Sequence, residues 1–368
     1  MNASLNEKLG TVKWGEFKYK EAFNRIEQGR RLKKDDQIDG TIPFVMSGTT
    51  NAGVVNYISN PVASFPKNAI TIDIFGNTFY RNYAFGAGDD TGVYWNDATA
   101  YSSNAMLFFA VAMQKSMMGR FSYGKKLRSS QSEDFTMHLP VTDDGTIDFD
   151  FMESFIAELE AERVAELSAY LTVSGLDNYE LSNNEMAIIE RYKKHQIPFS
   201  EFEFIKIFNN IKQGRRLKKD DQLPGDIPFV MSGTTNTGVI GYISNPVARF
   251  PKNSITIDIF GNCFYRNYDF GAGDDTGVYW NTEKEYSRTC MLFFAAAMGR
   301  ALRGKYSYGK KLRSSQSIHF KMQLPTKDGK PDYDAMAALI SAVQKLVIKD
   351  VVLYADRKIE KTKDVTKR

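Results

Sequence analysis

The chain has 368 residues, 42% hydrophobic and 25% charged, with 48 basic and 44 acidic side chains for a formal net charge of +4. This is the composition of an ordinary globular protein long enough for two cores. It excludes a bilayer-spanning helix, because no apolar stretch approaches the ~20 residues such a helix needs.

In chain order, the first residues lack the apolar core of a secretory signal, and a cytoplasmic protein is expected. Residues 14–140 read as short strands between turns, with IPFVM at 42–46 and ITIDIF at 70–75 as the clearest strands. MLFFAVAM at 106–113 is a continuous apolar run that predicts a buried helix. After Pro140, apolar residues at Met152, Phe155, Ile156, Leu159, Leu167, Tyr170 and Leu171 predict a long helix with one apolar stripe, stopped near Ser174 and Gly175. Ser182 with Glu185 is the signature of a capping box that opens a shorter helix, ended by Pro198. A second mixed segment runs over 199–325. Met336, Leu339, Ile340, Val343, Leu346, Val347 and Val351 then predict another long helix over 332–357, followed by a charged tail expected to fray.

The two mixed segments are copies. GRRLKKDDQ at 29–37 returns at 214–222, IPFVMSGTTN at 42–51 at 227–236, FGAGDDTGVYW at 85–95 at 270–280, and YGKKLRSSQS at 123–132 at 308–317. The offset of 185, from Gly29 to Gly214, holds without a gap to Pro140, with ten mismatches up to Trp95. A period this long is domain duplication rather than a solenoid repeat. Two like modules suggest a ligand that offers one feature twice. The order module, helix, module, helix predicts that the long helices pair antiparallel and relate the modules by a two-fold axis. At ~1.5 Å per residue such a rod is about 38 Å, close to one turn of B-DNA.

Charge is uneven. Lys115, Arg120, Lys125, Lys126 and Arg128 lie in a stretch without an acid, as do Arg300, Arg303, Lys305, Lys310, Lys311 and Arg313. Residues 148–166 carry seven acids against Arg163 alone. Basic modules and an acidic connector point to two surfaces for two kinds of partner. The acidic helix face is either solvated or a docking surface.

Four motifs per copy are candidates for nucleic-acid contact. Arg30, Arg31, Lys33 and Lys34, with Arg215, Arg216, Lys218 and Lys219, suit phosphate contact or a basic turn balanced by Asp35 and Asp36. In YGKKLRSSQ, Tyr123, Lys125, Lys126, Arg128, Ser129 and Gln131, with Tyr308, Lys310, Lys311, Arg313, Ser314 and Gln316, combine cations with hydrogen-bonding groups, suiting base contact, where Arg reads guanine and Gln adenine, or a solvent-exposed loop that caps a strand. Thr49, Thr50 and Asn51, with Thr234, Thr235 and Asn236, either reach base edges from a strand end or form a Ser/Thr or Asx turn. Asn77, Tyr80 and Arg81, with Asn262, Tyr265 and Arg266, suit a DNA surface and a hairpin turn equally.

Module, long helix, module, long helix resembles the specificity subunits of type I restriction–modification systems. The resemblance is carried by EQGRRLKKDDQIDGTIPFV near the start of each copy and GKKLRSSQSEDFTMHLP near its end, and extends to BcgI-like type IIB specificity subunits. It implies an α+β fold in which two similar target recognition domains, each mixed α/β with a twisted sheet, are joined and separated by two long antiparallel helices in a coiled-coil-like, pseudo-two-fold spacer. The domains are then 1–147 and 199–331, the helical regions 148–198 and 332–368. It further implies recognition of a bipartite double-stranded DNA target. The near-identity of two-fold-related modules predicts a near-palindromic one, and the rod length set against the duplex repeat predicts about six unspecified base pairs between half-sites. The partners are DNA adenine methyltransferase subunits, with or without a fused nuclease, and S-adenosylmethionine and magnesium belong to those partners.

Enzymatic readings of the chain itself are weak. FGAGDD sits late and among strands, not early in the βαβ unit that an S-adenosylmethionine loop requires. NPVA at Asn60 and Asn245 lacks the second proline and the aromatic of the amino-methyltransferase tetrad. Asp73, Asp89 and Asp90 lack a suitably spaced lysine for a nuclease metal site and suit turn amides better. Cys263 and Cys290 form no spaced pair, and His138, His195 and His319 share no motif spacing, which speaks against a zinc site. The expected protein is non-catalytic and takes no cofactor or metal. The alternatives are a stand-alone DNA methyltransferase or nuclease, or a duplicated module for another ligand.

Overall fold

A computed structural model describes residues 3–61, 64–246 and 249–366, with side chains through residue 361. The ends of the two NPVA segments, at 62–63 and 247–248, and the last two residues of the charged tail lie outside the described residues. The chain divides into two compact units, Met1–Leu167 with Ala355–Arg368, and Ser168–Tyr354.

The first unit begins with helix α1 (Ala3–Thr11), strand β1 (Trp14–Lys18), the single turn α2 (Tyr19–Ala22) and β2 (Arg25–Gln28). β3 (Asp39–Val45), β4 (Val54–Ile58), β5 (Ser64–Phe65), β6 (Ala69–Asp73), β7 (Thr78–Arg81), β8 (Phe85–Ala87) and β9 (Thr91–Trp95) follow. α3 (Ser103–Met117), β10 (Thr136–Pro140) and α4 (Phe149–Val173), which belongs to this unit as far as Leu167, come next. Two four-stranded sheets form, ordered β2-β9-β6-β7 and β4-β3-β8-β5, and β1 pairs with β10. The first sheet is antiparallel; in the second, β3 runs parallel to β8.

The run ITIDIF alternates apolar residues with Thr71 and Asp73, yet β6 is buried at every position because both faces of its sheet are covered. Ile70, Ile72 and Tyr94 face a core shared with α3, β10 and α4. Ala69 and Val93 face the other way, onto Val45, Phe65, Phe85 and Ala87 of the second sheet. The layers are thus helix, sheet, sheet. α3 is the buried helix expected at 106–113, opened by Ser102, whose side chain accepts from Ala105 N at 3.0 Å. α1 was not legible in the sequence. Its Leu5 is fully buried in this same core, and the rest of the helix is largely polar.

α4 ends where Ser174 and Gly175 predict. Gly175 takes φ +66°, Leu176 N donates to Leu171 O at 2.8 Å, and Gly175 N donates to Thr172 O at 3.1 Å. Within the first unit the two long helices meet where Lys358 Nζ pairs with Glu160 Oε1 at 2.6 Å.

The second unit repeats the plan. α5 (Asn183–Lys193), β11 (Phe199–Glu203), α6 (Phe204–Ile207), β12 (Asn210–Gln213), β13 (Pro224–Val230), β14 (Val239–Ile243) and β15 (Arg249–Phe250) come first. β16 (Ser254–Asp258), β17 (Cys263–Arg266), β18 (Phe270–Ala272), β19 (Thr276–Trp280), α7 (Arg288–Leu302), β20 (Lys321–Lys327), β21 (Lys330–Pro331) and α8 (Tyr333–Thr366) follow. Its sheets run β12-β19-β16-β17 and β14-β13-β18-β15, with β11-β20-β21 beside them.

The Ser182–Glu185 capping box is present. α5 precedes β11 as α1 precedes β1. Its Ile188 packs with Ile197, Ala335 and Leu339 inside the second unit. The segment after Arg357, expected to fray, continues as helix to Thr366, and Lys358 ties it to α4.

Candidate nucleic-acid interface

The repeated motifs converge at one place in each unit, organised by one buried carboxylate, Asp73 or Asp258, and one half-buried carboxylate, Asp90 or Asp275. Asp73, at the end of β6, is 4% exposed. Its Oδ1 accepts from Phe75 N (2.8 Å) and Asn77 N (2.9 Å), closing the β6–β7 turn over Gly76, which takes φ +89°. Its Oδ2 accepts from Asn77 Nδ2 (2.8 Å), Gly48 N (3.0 Å) and Ser47 Oγ (3.1 Å), so the same side chain holds the SGTTN loop. Asp90 Oδ2 accepts from Ser47 N at 3.0 Å, and Asp90 O from Ile74 N at 3.0 Å. Asp258 and Asp275 make the equivalent bonds to Ser232, Gly233, Phe260 and Asn262. These carboxylates therefore satisfy turn amides, and among the described residues no cluster of three metal-ligating side chains forms.

The YGKKLRSSQ loop docks on this frame by its inward residues. Leu127 is 3% exposed and its N donates to Ile74 O at 3.0 Å. Gln28 bridges, donating Nε2 to Asp89 O (3.1 Å) and accepting from Ser129 N at Oε1 (2.8 Å). Arg128 Nη1 donates to the same Asp89 carbonyl. Gln131 Oε1 accepts from Arg128 N at 3.0 Å, so this glutamine caps the loop, and Ser129 is buried. Buried Tyr94 shares a 2.7 Å hydrogen bond with Ser132, and burial pushes its hydroxyl pKa upward. Tyr123, Lys125 and Lys126 are left outside. Tyr123 is 83% exposed, with Lys126 Nζ 4.8 Å from its ring centre. Tyr308 and Lys311 repeat this at 4.7 Å.

The basic loop at 29–37 lies against the same frame. Gly29 N donates to Thr91 O and Arg30 N to Ala87 O, at 2.8 and 2.9 Å. Only glycine fits at 29, because a Cβ there would stand 2.2 Å from Gly88 O. Arg30, Arg31, Lys33 and Lys34 are exposed and, among the described residues, make no ion pair, so Asp35 and Asp36 do not neutralise the turn through direct contact. Arg215, Arg216, Lys218 and Lys219 behave alike. In the second unit this loop and the KKLR loop face each other across a cleft of about 770 Å³, where Arg216, Lys218, Lys219, Lys311 and Arg313 outnumber Asp274 and Asp275.

Not every candidate reaches this surface. Thr49, Thr50 and Asn51 do, as do Thr234, Thr235 and Asn236; all are exposed. Asn77 and Asn262 are spent on Asp73 and Asp258. Tyr80 packs on the α3 core and donates to Asn68 Oδ1 at 3.0 Å, as Tyr265 does to Asn253 at 3.2 Å. Arg81 and Arg266 are 1% exposed. Arg81 donates Nε to Thr71 Oγ1 (3.1 Å), Nη1 to Tyr83 OH (3.1 Å) and Nη2 to Ala52 O (2.6 Å). Burial draws its pKa below the ordinary value, opposed by the bond to Tyr83. It supports the SGTTN loop from behind. Sequence reading also passed over Gln28 and Gln213, whose bridging role no local pattern announces.

Comparison with known proteins agrees with this arrangement. Residues 11–169 and 200–351 each match the type I restriction modification DNA specificity domain. The specificity subunit S.BcgI of a type II restriction enzyme from Heyndrickxia coagulans is 29% identical over 155 residues, which are 41% of this chain and 45% of that subunit. The chain thus spans under half the length of that curated relative. The S subunit of a type I restriction-modification system from M. genitalium shares the fold, with TM-score 0.54, 15% identity and coverage of 96% of this chain and 94% of that one. With both of its modules matched, the chain belongs to the type I restriction modification DNA specificity domain family.

Proposed function

We propose that the chain is the non-catalytic DNA-specificity subunit of a restriction–modification system, reading a bipartite, near-palindromic duplex and recruiting adenine methyltransferase subunits. The observation that carries this reading is the convergence, once per unit, of unpaired cations, an exposed tyrosine and short polar side chains on one rigid frame. Cations without carboxylate partners suit a polyanion; Arg30, Lys33, Lys125 and their equivalents would neutralise phosphates and set the register. Thr49, Asn51 and Arg128 stand beside them as groups that hydrogen-bond base edges. Near-identity of the two surfaces favours near-identical half-sites.

Methyl transfer and any cleavage belong to partners in this reading, which supply S-adenosylmethionine and magnesium. α8 offers such a partner an apolar stripe, with Val343 47%, Leu346 50% and Val347 73% exposed. No helix among the described residues is long and apolar enough to cross a membrane. The test is selection of bound duplexes from a random pool, followed by affinity against salt. Two related half-sites and an affinity that falls steeply with salt are expected. Methylation or cleavage by the isolated chain, or binding indifferent to salt, contradicts the reading.

A further inference from the structure

The charged residues that line the second unit's cleft all recur in the first unit, but one hydrogen bond of the first unit does not recur in the second. Gln37 closes the basic loop of the first unit and Gln222 that of the second, where it lines the cleft next to Ile240. In the first unit Asn56, on β4, donates Nδ2 to Gln37 Oε1 at 2.9 Å. The equivalent of Asn56 is Gly241, so this bond has no counterpart, and the Gln222 side chain has no hydrogen-bond partner among the described residues. A glutamine reads adenine bidentately, using the amide oxygen and nitrogen together, one accepting from N6 and the other donating to N7. Gln222 keeps both ends of its amide; Gln37 has one end occupied.

We infer that Gln37 and Gln222 are specificity-determining residues that read differently, the second module demanding adenine at one base pair where the first is relaxed. This rests on the DNA-binding function proposed above. The near-palindrome is then imperfect at one symmetric pair of positions, and the imperfection is written in Asn56 against Gly241. The exchange is sterically mild. A Cβ at Gly241 meets nothing within 4 Å and its φ lies outside the left-handed region, while Asn56 sits half-buried on the hairpin.

The experiment selects duplexes from a random pool with the full chain as wild type, N56G and G241N. Thermal unfolding confirms that each variant folds. Wild type is expected to enrich one half-site with adenine at a position whose symmetry mate is relaxed. N56G should sharpen the relaxed position and G241N should relax the sharp one, each by on the order of tenfold in relative affinity, the scale of one bidentate base contact. Half-sites equally stringent in wild type, or either variant leaving its half-site unchanged, overturn the inference while the DNA-binding reading stands. No enrichment of any duplex overturns that reading, and the inference falls with it.

Discussion

Arg81 Nη2 donates to the carbonyl of Ala52 at 2.6 Å, joining a guanidinium that is 1% exposed to a residue held at φ +50°. Asn51 before it is also left-handed, at φ +48°. Two consecutive non-glycine residues in this region cost about 1–2 kcal/mol each, and persist only where surroundings over-determine them. The second unit repeats the strain at Asn236 and Thr237, and Arg266 again donates to the carbonyl of residue 237. There Thr237 Oγ1 also accepts from Arg266 Nη1 at 3.0 Å. The exposed Thr49–Thr50–Asn51 tip is therefore shaped by a buried cation that never meets solvent.

Replacing Arg81 by Met should destabilise the first unit by roughly 3 kcal/mol, because it leaves Thr71, Tyr83 and the Ala52 carbonyl without their donor. Ala52→Gly should do the opposite, stabilising by up to about 1 kcal/mol through relief of the left-handed Cβ clash. Chemical denaturation of both variants checks the pair of signs. A destabilised A52G would show that the loop is not strained.

The exposed cations of the YGKKLRSSQ loop predict a different pattern. K125A/K126A should leave the unfolding midpoint nearly unchanged, since both lysines are exposed and make no ion pair among the described residues. Duplex affinity should fall, and the slope of log affinity against log salt should flatten by about 0.9 for each phosphate no longer neutralised. Titrations at several salt concentrations measure this. A slope equal to wild type would place both lysines away from the phosphates.

The contrast between these variants marks what the sequence made legible. Duplication, the two sheet-rich modules, the buried helix α3, the caps of α4 and α5 and the polar loops were all written locally, in repeat register, apolar spacing and Ser/Asp/Gly positions. The inward turn of Asn77, Tyr80 and Arg81 was not. Strand alternation names a solvent face only where one face is solvated, and the sheet holding β7 is covered on both sides. A charged residue there looks like surface until the second layer is known. The link between Gln28 and the Asp89 carbonyl was invisible for another reason: it joins positions 61 residues apart.

Asp73 concentrates five accepted hydrogen bonds in one carboxylate. Asp73→Asn should cost roughly 2–4 kcal/mol, because an amide nitrogen would meet donors that the carboxylate oxygens now satisfy. Protection of the Gly48, Phe75 and Asn77 amides against hydrogen exchange should fall with it. Persistent protection in that variant would mean that the strand ends, not Asp73, hold the two loops.

Glu185 couples the stability of the second unit to pH. It is 6% exposed and stands in the first turn of α5 against α8, where Ser341 Oγ donates to its Oε1 and Lys345 Nζ to its Oε2 at 2.9 Å. Burial alone would raise its pKa; the bonds from Ser341, Lys345 and Ser182 prevail and take it from 4.5 down to about 2. A carboxylate depressed in the folded state contributes fully above its unfolded value and loses that contribution as pH falls through the folded one. Stability from Glu185 should therefore be intact at neutral pH and decline between about pH 5 and pH 2. Glu185→Gln should cost about 2 kcal/mol at pH 7, somewhat less than a fully buried pair, since Lys345 is 19% exposed. Against wild type, that penalty should shrink as acid protonates the native carboxylate. Denaturation of both proteins from pH 7 to pH 2 measures the difference, and a gap that stays constant across the range would show that the α5–α8 contact does not depend on this charge.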